Sequence, residues 1–150
     1  MEFDWVCVKK LIIINGPNLN MLGIRELSKY GSTSYDDLKG IIKNHSKNKF
    51  ELEIYQSNTE GEIVSKLHKI LEEHIDALII NPGAYTHTSI AIRDALAALK
   101  IPIVEVHITD IKNRENFRKV NLISDLCELT ITGKGIDGYR EGIDYLYGKN

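Results

Sequence analysis

Apolar runs and apolar stripes alternate along most of this chain. Leu11, Ile12, Ile13 and Ile14 form an uninterrupted run inside a strand predicted from Val8 to Asn15. A run of that kind suits a strand covered on both faces, as in a parallel sheet. Ala77 to Ile80 repeats the pattern. Phe50 to Gln56 differs, because Phe50, Leu52 and Ile54 alternate with Glu51, Glu53 and Tyr55. That alternation predicts a half-buried strand at a sheet edge. Two more strands are expected, from Ile101 to His107, opened by Pro102, and from Leu126 to Thr132.

Between these runs the period lengthens to that of a helix. Ser34 and Asp37 resemble a capping box ahead of Leu38, Ile41, Ile42 and His45. Thr59 and Glu62 form a second box ahead of a stripe of Ile63, Leu67, Ile70 and Leu71. An Ala-rich helix is expected from Thr88 to Leu99, with Ile92, Leu96 and Leu99 on one side. A short polar helix is expected from Ile111 to Lys119, and a last helix from Ile136 to Tyr147. Strict strand–helix alternation predicts an α/β fold with a five-stranded parallel sheet and helices on both faces. Residues 1–9 read as an extension in which Phe3, Trp5 and Cys7 alternate with Asp4 and Val6, and residues 10–150 read as one domain.

Composition narrows the class. The 150 residues are 43% hydrophobic and 27% charged, as expected of an ordinary globular chain. A net charge of −2 argues against a nucleic-acid binder, which would carry a strong basic excess. No apolar run approaches the roughly 20 residues that span a bilayer. The first residues, MEFDWVCV, are acidic where a signal peptide is basic, so no membrane and a cytoplasmic location are expected. Cys7 and Cys127 lack metal-type spacing and read as buried free thiols.

The chemistry collects at strand ends. From Asn15 to Gly31 the chain shows turn residues and then no period, although it carries Asn18, Arg25, Glu26 and Tyr30. An irregular stretch of that length is more often a lid or binding loop than filler, and the carboxyl edge of an open α/β sheet is where ligands bind. At the end of the third strand, Thr86, Thr88 and Ser89 open a helix, either as an anion site or as plain caps. At the fourth, Glu105 and His107 share a face, as a solvated edge pair or as an imidazole charged by its carboxylate and suited to act as an acid. Arg114 and Arg118 either grip a carboxylate or lie on a solvated helix face. Gly133-Lys134-Gly135-Ile136-Asp137-Gly138 matches a dinucleotide fingerprint, but no further strand and acid follow it, so it reads as a tight strand–helix junction.

Several blocks occur together and in order: NGPNLNMLG-x-RE-x-x-x-YG, QSN-x-EGE, NP-x-AYTHTS-x-A-x-RDAL and EVH-x-x-x-x-x-RE-x-FR. Together they resemble the type II 3-dehydroquinate dehydratases from about Lys10 to Tyr147. The resemblance implies a flavodoxin-like three-layer fold. It also implies trans-dehydration of 3-dehydroquinate to 3-dehydroshikimate through an enolate, with no cofactor, metal or Schiff base. By that resemblance Tyr30 is the base, Arg25 favours its phenolate, His107 is the acid with Glu105 beside it, and Asn18 holds a water against the enolate oxygen. Asn81, Gly83, His87, Ile108, Thr109 and Arg118 fall on substrate-binding positions. Asp94 resembles a residue that reaches a neighbouring subunit's site, and the assembly implied is a dodecamer built as a tetramer of trimers.

Two departures stand out. Thr109 occupies a position where Ser is commoner, which keeps the hydroxyl. Asp110 stands where Asn is commoner and adds negative charge near a site for an anion. The alternatives are a role in quinate catabolism, a flavodoxin-like module that binds a ligand without catalysis, and a catalytically idle structural protomer.

Overall fold

The computed structural model describes residues 8–24 and 32–149. Five strands form one sheet: β1 (Lys10–Asn15), β2 (Glu51–Gln56), β3 (Ala77–Asn81), β4 (Ile103–His107) and β5 (Leu129–Thr132). Every pairing is parallel, and the order is β2-β1-β3-β4-β5. This is the flavodoxin-like order, whose direction of winding reverses between β1 and β3. The alternating segment is an edge strand, as its pattern requires.

Strand periodicity sorts the core into two layers. Leu11 and Ile13 of β1, Ile79 of β3, and Val104 and Val106 of β4 pack against one pair of helices, α1 (Tyr35–Ser46) and α4 (Asp137–Gly148). Their neighbours Ile12, Ile14, Leu78, Ile80 and Ile103 pack against the other pair, α2 (Glu60–Glu72) and α3 (Ile90–Ala97). Each central strand is therefore apolar on both faces because both faces are covered. The same parity carries on to the strand ends. Asn15 and Asn81 fall on the α1/α4 side, and Glu105 and His107 on the α2/α3 side.

The starts of α1, α2 and α3 follow the hydroxyl caps, with two adjustments, whereas α4 starts after Ile136 with no side-chain cap. Ser34 Oγ accepts from Asp37 N at 3.0 Å, as the first box requires. At α2, Thr59 holds the N-cap position without a side-chain bond. Ser57 takes over, accepting from Thr59 N and donating to the Glu62 carboxylate. At α3, Ser89 Oγ accepts from Ile92 N at 2.9 Å, so the helix begins at Ile90 and Thr88 lies outside it. Leu71 leaves the predicted α2 stripe and is 57% exposed.

The expected helix from Ile111 to Lys119 does not form. Short 3₁₀ turns at Ile111–Asn113, Asn116–Arg118 and Ser124–Leu126 join β4 to β5 instead. The segment lacks an apolar stripe to bury, since Phe117 and Val120 are 65% and 52% exposed. The glycine-rich junction after β5 is the tight strand–helix connection expected. Gly133 N donates to the His107 and Thr109 carbonyls, and Lys134 and Asp137 pair with Glu141 and Arg140. Among the described residues no helix is long and apolar enough to cross a membrane.

Candidate active site

Two loops meet backbone to backbone at the point where the sheet reverses. Gly16 N donates to Asn81 O at 2.7 Å. A Cβ on Gly16 would lie 2.3 Å from Pro82 O, so only glycine allows the approach. Gly83 returns the contact with a left-handed φ of 61° and would put a Cβ 3.0 Å from Pro17 O. This junction fixes Asn18 and the 3₁₀ turn Leu19–Met21 on one side of a cleft. Asn18 itself is left-handed (φ 69°), and its N–H is held by Asn58 Oδ1 at 3.0 Å.

The other wall comes from β3 and β4. Asn81, Gly83 and His87 line it from the end of β3. His107, Ile108 and Thr109 line it from the end of β4, with Arg114 and Arg118 beyond. Eight residues implied by family resemblance thus share one cleft: Asn18, Asn81, Gly83, His87, His107, Ile108, Thr109 and Arg118. Glu105 sits beneath it and reaches it through His107. Asp94 does not join them. It is exposed on α3, where Arg93 binds Asp125 bidentately and the Leu122 carbonyl. Arg25, Glu26 and Tyr30 lie outside the described residues, as does Cys7.

The alternative of a solvated edge pair fails for Glu105 and His107, which are 0% and 4% exposed. Glu105 Oε2 meets His107 Nε2 and accepts from Asn121 Nδ2 at 2.7 Å. Its Oε1 accepts from Thr130 Oγ1 at 2.9 Å. Asn121 Oδ1 in turn takes the N–H groups of Ile123 and Ser124, which fixes its amide orientation. A buried carboxylate is tolerated only when its lone pairs are met in this way. The His107 ring is thereby fixed at the cleft, the arrangement a proton donor to a leaving group needs.

His87 behaves differently. Burial holds its pKa below the ordinary value, and the nearby His107, Arg118 and Arg114 act in the same direction. Its Nδ1 lies 2.6 Å from the Val120 carbonyl, an acceptor, so Nδ1 carries the proton. The neutral ring then leaves Nε2 as an acceptor, suited to a hydroxyl. The two arginines are not on a solvated helix face. Arg114 and Arg118 have side chains 12% and 26% exposed, and Arg118 Nε is steadied by Glu115 Oε2 at 2.8 Å. Asp110 does not line this cleft. Its carboxylate caps the 3₁₀ turn Ile111–Asn113, accepting from Lys112 N and Asn113 Nδ2. The Thr88 and Ser89 anion reading is replaced by capping at Ser89, and Thr86 is fully buried.

Sequence reading missed Asn121 and Thr130 under His107, and Asn15 and Tyr139 under Asn81. The signal for Asn15 was present, since two apolar strands, β1 and β3, both end in Asn, and the two pair in register. Among the described residues no cluster of three His, Cys, Asp or Glu is arranged to hold a metal ion. Cys127, half-buried, has its thiol pushed up to about 12 by burial and donates to the Ile123 carbonyl.

Comparison with known proteins places the chain in a family. The family model for dehydroquinase class II matches residues 9–147. A 3-dehydroquinate dehydratase of Caldicellulosiruptor bescii is 53% identical over 133 residues, 88% of this chain and 92% of that protein. A catabolic 3-dehydroquinase of Debaryomyces hansenii is 47% identical over 143 residues, 95% of this chain and 99% of that protein. The crystal structure of the type II dehydroquinase from Butyrivibrio crossotus superposes with a TM-score of 0.91 at 46% identity, covering 93% of this chain and 97% of that one. The α/β fold is what that structure has in common with this one. The chain belongs to the class II dehydroquinase family.

Proposed function

We propose that this enzyme removes water from 3-dehydroquinate by trans elimination through an enolate, giving 3-dehydroshikimate. The observation that carries the reading is the buried Glu105–His107 pair presented at the cleft of a dehydroquinase-family chain. His107 protonates the departing hydroxyl, and Glu105 steadies the imidazolium. Tyr30 takes the proton beside the ketone, Arg25 favours its phenolate, and Asn18 holds a water against the enolate oxygen. Asn81, Gly83, His87, Ile108, Thr109 and Arg118 bind the substrate, with Arg118 among the groups on the ring hydroxyls.

The base needs help. A tyrosine at its reference pKa of about 10 is roughly 0.1% ionised at pH 7, and reaching the phenolate costs about 4 kcal/mol. A cation within a few Å recovers about one to three units of that, by analogy with carboxylates. Residues 10–150 act as one catalytic domain, in the cytoplasm, within a dodecamer in which Asp94 meets a neighbouring protomer's site. The exposure of Asp94, with Arg93 committed to Asp125, supports that last role. The names of relatives include both an unqualified dehydratase and a catabolic enzyme, so quinate breakdown is the second reading of its physiological role.

The direct test is to add 3-dehydroquinate and follow the ultraviolet absorbance of the enone. Tyr30→Phe keeps the ring and is expected to lower kcat by about 10² to 10⁴. A near-normal rate in that variant overturns the assignment. Arg25→Ala should lower kcat and move the pKa of the base, which sets the low-pH limb of the pH profile, upward, whereas Arg118→Ala should mainly raise KM.

A further inference from the structure

Beneath the cleft, on the α1/α4 side of the sheet, four side chains form a directed hydrogen-bond chain. Gly83 N–H donates to Asn81 Oδ1 at 3.1 Å. Asn81 Nδ2 donates to the Tyr139 hydroxyl at 3.0 Å. That hydroxyl donates to Asn15 Oδ1 at 2.6 Å, and Asn15 Nδ2 donates to the Tyr35 hydroxyl at 3.3 Å. Asn15, Asn81 and Tyr139 are buried, at 0%, 3% and 0% exposure.

The direction of every bond is fixed from one end. A backbone N–H only donates, so the Asn81 atom it meets is the oxygen, and the amide nitrogen must face Tyr139. Tyr139 has one proton. Having accepted from Asn81, it places that proton on Asn15, its other close partner. Burial holds the Tyr139 hydroxyl protonated well above its ordinary range, so this arrangement does not titrate under working conditions. One Nδ2 proton of Asn81 is used by Tyr139, which leaves the second as the donor that Asn81 brings to the cleft.

We infer that Tyr139 is a positioning residue for substrate binding: the Gly83 N–H sets which way the Asn81 amide faces, and Tyr139 anchors its nitrogen so that an amide N–H, rather than an amide carbonyl, is held toward the substrate. The ligand group it serves is an oxygen acceptor, a carboxylate or hydroxyl oxygen of the bound acid. This deepens the proposed function and rests on it, because Asn81 must touch the substrate. Tyr139 comes from α4, 58 residues beyond Asn81 and 124 beyond Asn15. The helix that closes the fold therefore also aligns the site.

The test is steady-state kinetics on purified Tyr139→Phe, Asn81→Ala and the double variant, each with its thermal midpoint. Wild-type turnover of 3-dehydroquinate is measured first; its absence sinks the proposed function and is read separately. With turnover present, Tyr139→Phe is expected to raise KM about tenfold, the size of a lost hydrogen bond that leaves a buried group unpaired, with kcat changed less than twofold. Asn81→Ala should raise KM at least as much, and the double variant should be no worse than Asn81→Ala alone. A purely structural Tyr139 would lower the thermal midpoint with KM unchanged, or add its full effect on top of Asn81→Ala; either result overturns the inference. If Tyr139→Phe does not fold, Asn15→Ala replaces it. That variant frees the Tyr139 proton to compete for Asn81, and a KM within twofold of wild type there also overturns the inference.

Discussion

Two buried polar clusters lie under one cleft, on opposite faces of one sheet, and they are built in opposite ways. On the α2/α3 side, Glu105 brings a carboxylate into the interior and is met by His107, Asn121 and Thr130. On the α1/α4 side, Asn15, Asn81 and Tyr139 are all neutral and satisfy one another in a line. The first cluster lies under His107, proposed to move a proton; the second lies under Asn81, proposed only to bind. A charge in a low-dielectric setting is costly to bury and strong when paired. A neutral relay is cheaper and insensitive to pH. The difference implies that lesions on the charged side should be larger, and should reach catalysis as well as stability.

The largest effect is expected from Glu105→Ala. It removes the acceptor for three donors at once and frees the His107 ring. Breaking a buried pair of this kind costs about 3–5 kcal/mol, so urea midpoints should fall steeply and kcat by orders of magnitude. Glu105→Gln keeps the shape and should recover part of the stability without the rate. Recovery of both would show that the negative charge is not what His107 needs. Next comes Asn121→Ala, which takes one donor from Glu105 and two N–H acceptor contacts from the following turn. A loss of about 2 kcal/mol is expected, with kcat lowered and KM little changed. A KM effect without a kcat effect would place Asn121 with the binding groups instead.

How far this contrast could be read from sequence depends on where periodicity operates. The two-layer core followed from apolar runs and stripes, because Leu11 to Ile14 and Ala77 to Ile80 suit doubly covered strands. The shared face of Glu105 and His107 followed from their spacing of two. The burial of that pair did not, since the segment that covers it, around Asn121, is held by turns that carry no periodic signal. The 3₁₀ turns between β4 and β5 were read as a helix for the same reason. Tyr139 occupies a helical stripe with Ile143 and Leu146 and looks like core; only the tertiary fold brings its hydroxyl to two asparagines. The cleft residues themselves were legible because the motif blocks resemble a known family, not because spacing revealed them.

A pH series separates the two sides in another way. Burial lowers the pKa of His87, on the charged side, from an unfolded value of about 6.5. Between the folded and unfolded values the unfolded chain binds more protons, so stability rises with pH across that window. It is complete above about 6.5 and is lost as pH falls toward the folded value. Urea midpoints measured from pH 7.5 downward should therefore decline below neutrality, and less steeply in His87→Gln. Equal slopes in the two proteins would mean that His87 is not held neutral. The Tyr139 relay adds nothing to this slope, because its hydroxyl stays protonated throughout.

The smallest effect is expected at the outer end of the neutral relay. Tyr35 opens α1 and is half-buried, and burial keeps its hydroxyl pKa above the ordinary value. Its bond from Asn15 Nδ2 is the longest in the chain of contacts, 3.3 Å. Tyr35→Phe removes that acceptor but leaves Asn15 Oδ1 held by Tyr139 and Asn81 held by Gly83. The cost should be about 1 kcal/mol or less, the usual net worth of one neutral hydrogen bond. Both kcat and KM should stay within twofold, because the amide at the cleft does not turn. A KM rise matching that of Tyr139→Phe would show that the relay transmits orientation along its whole length. An unchanged KM would confine the positioning to the two bonds that Tyr139 makes.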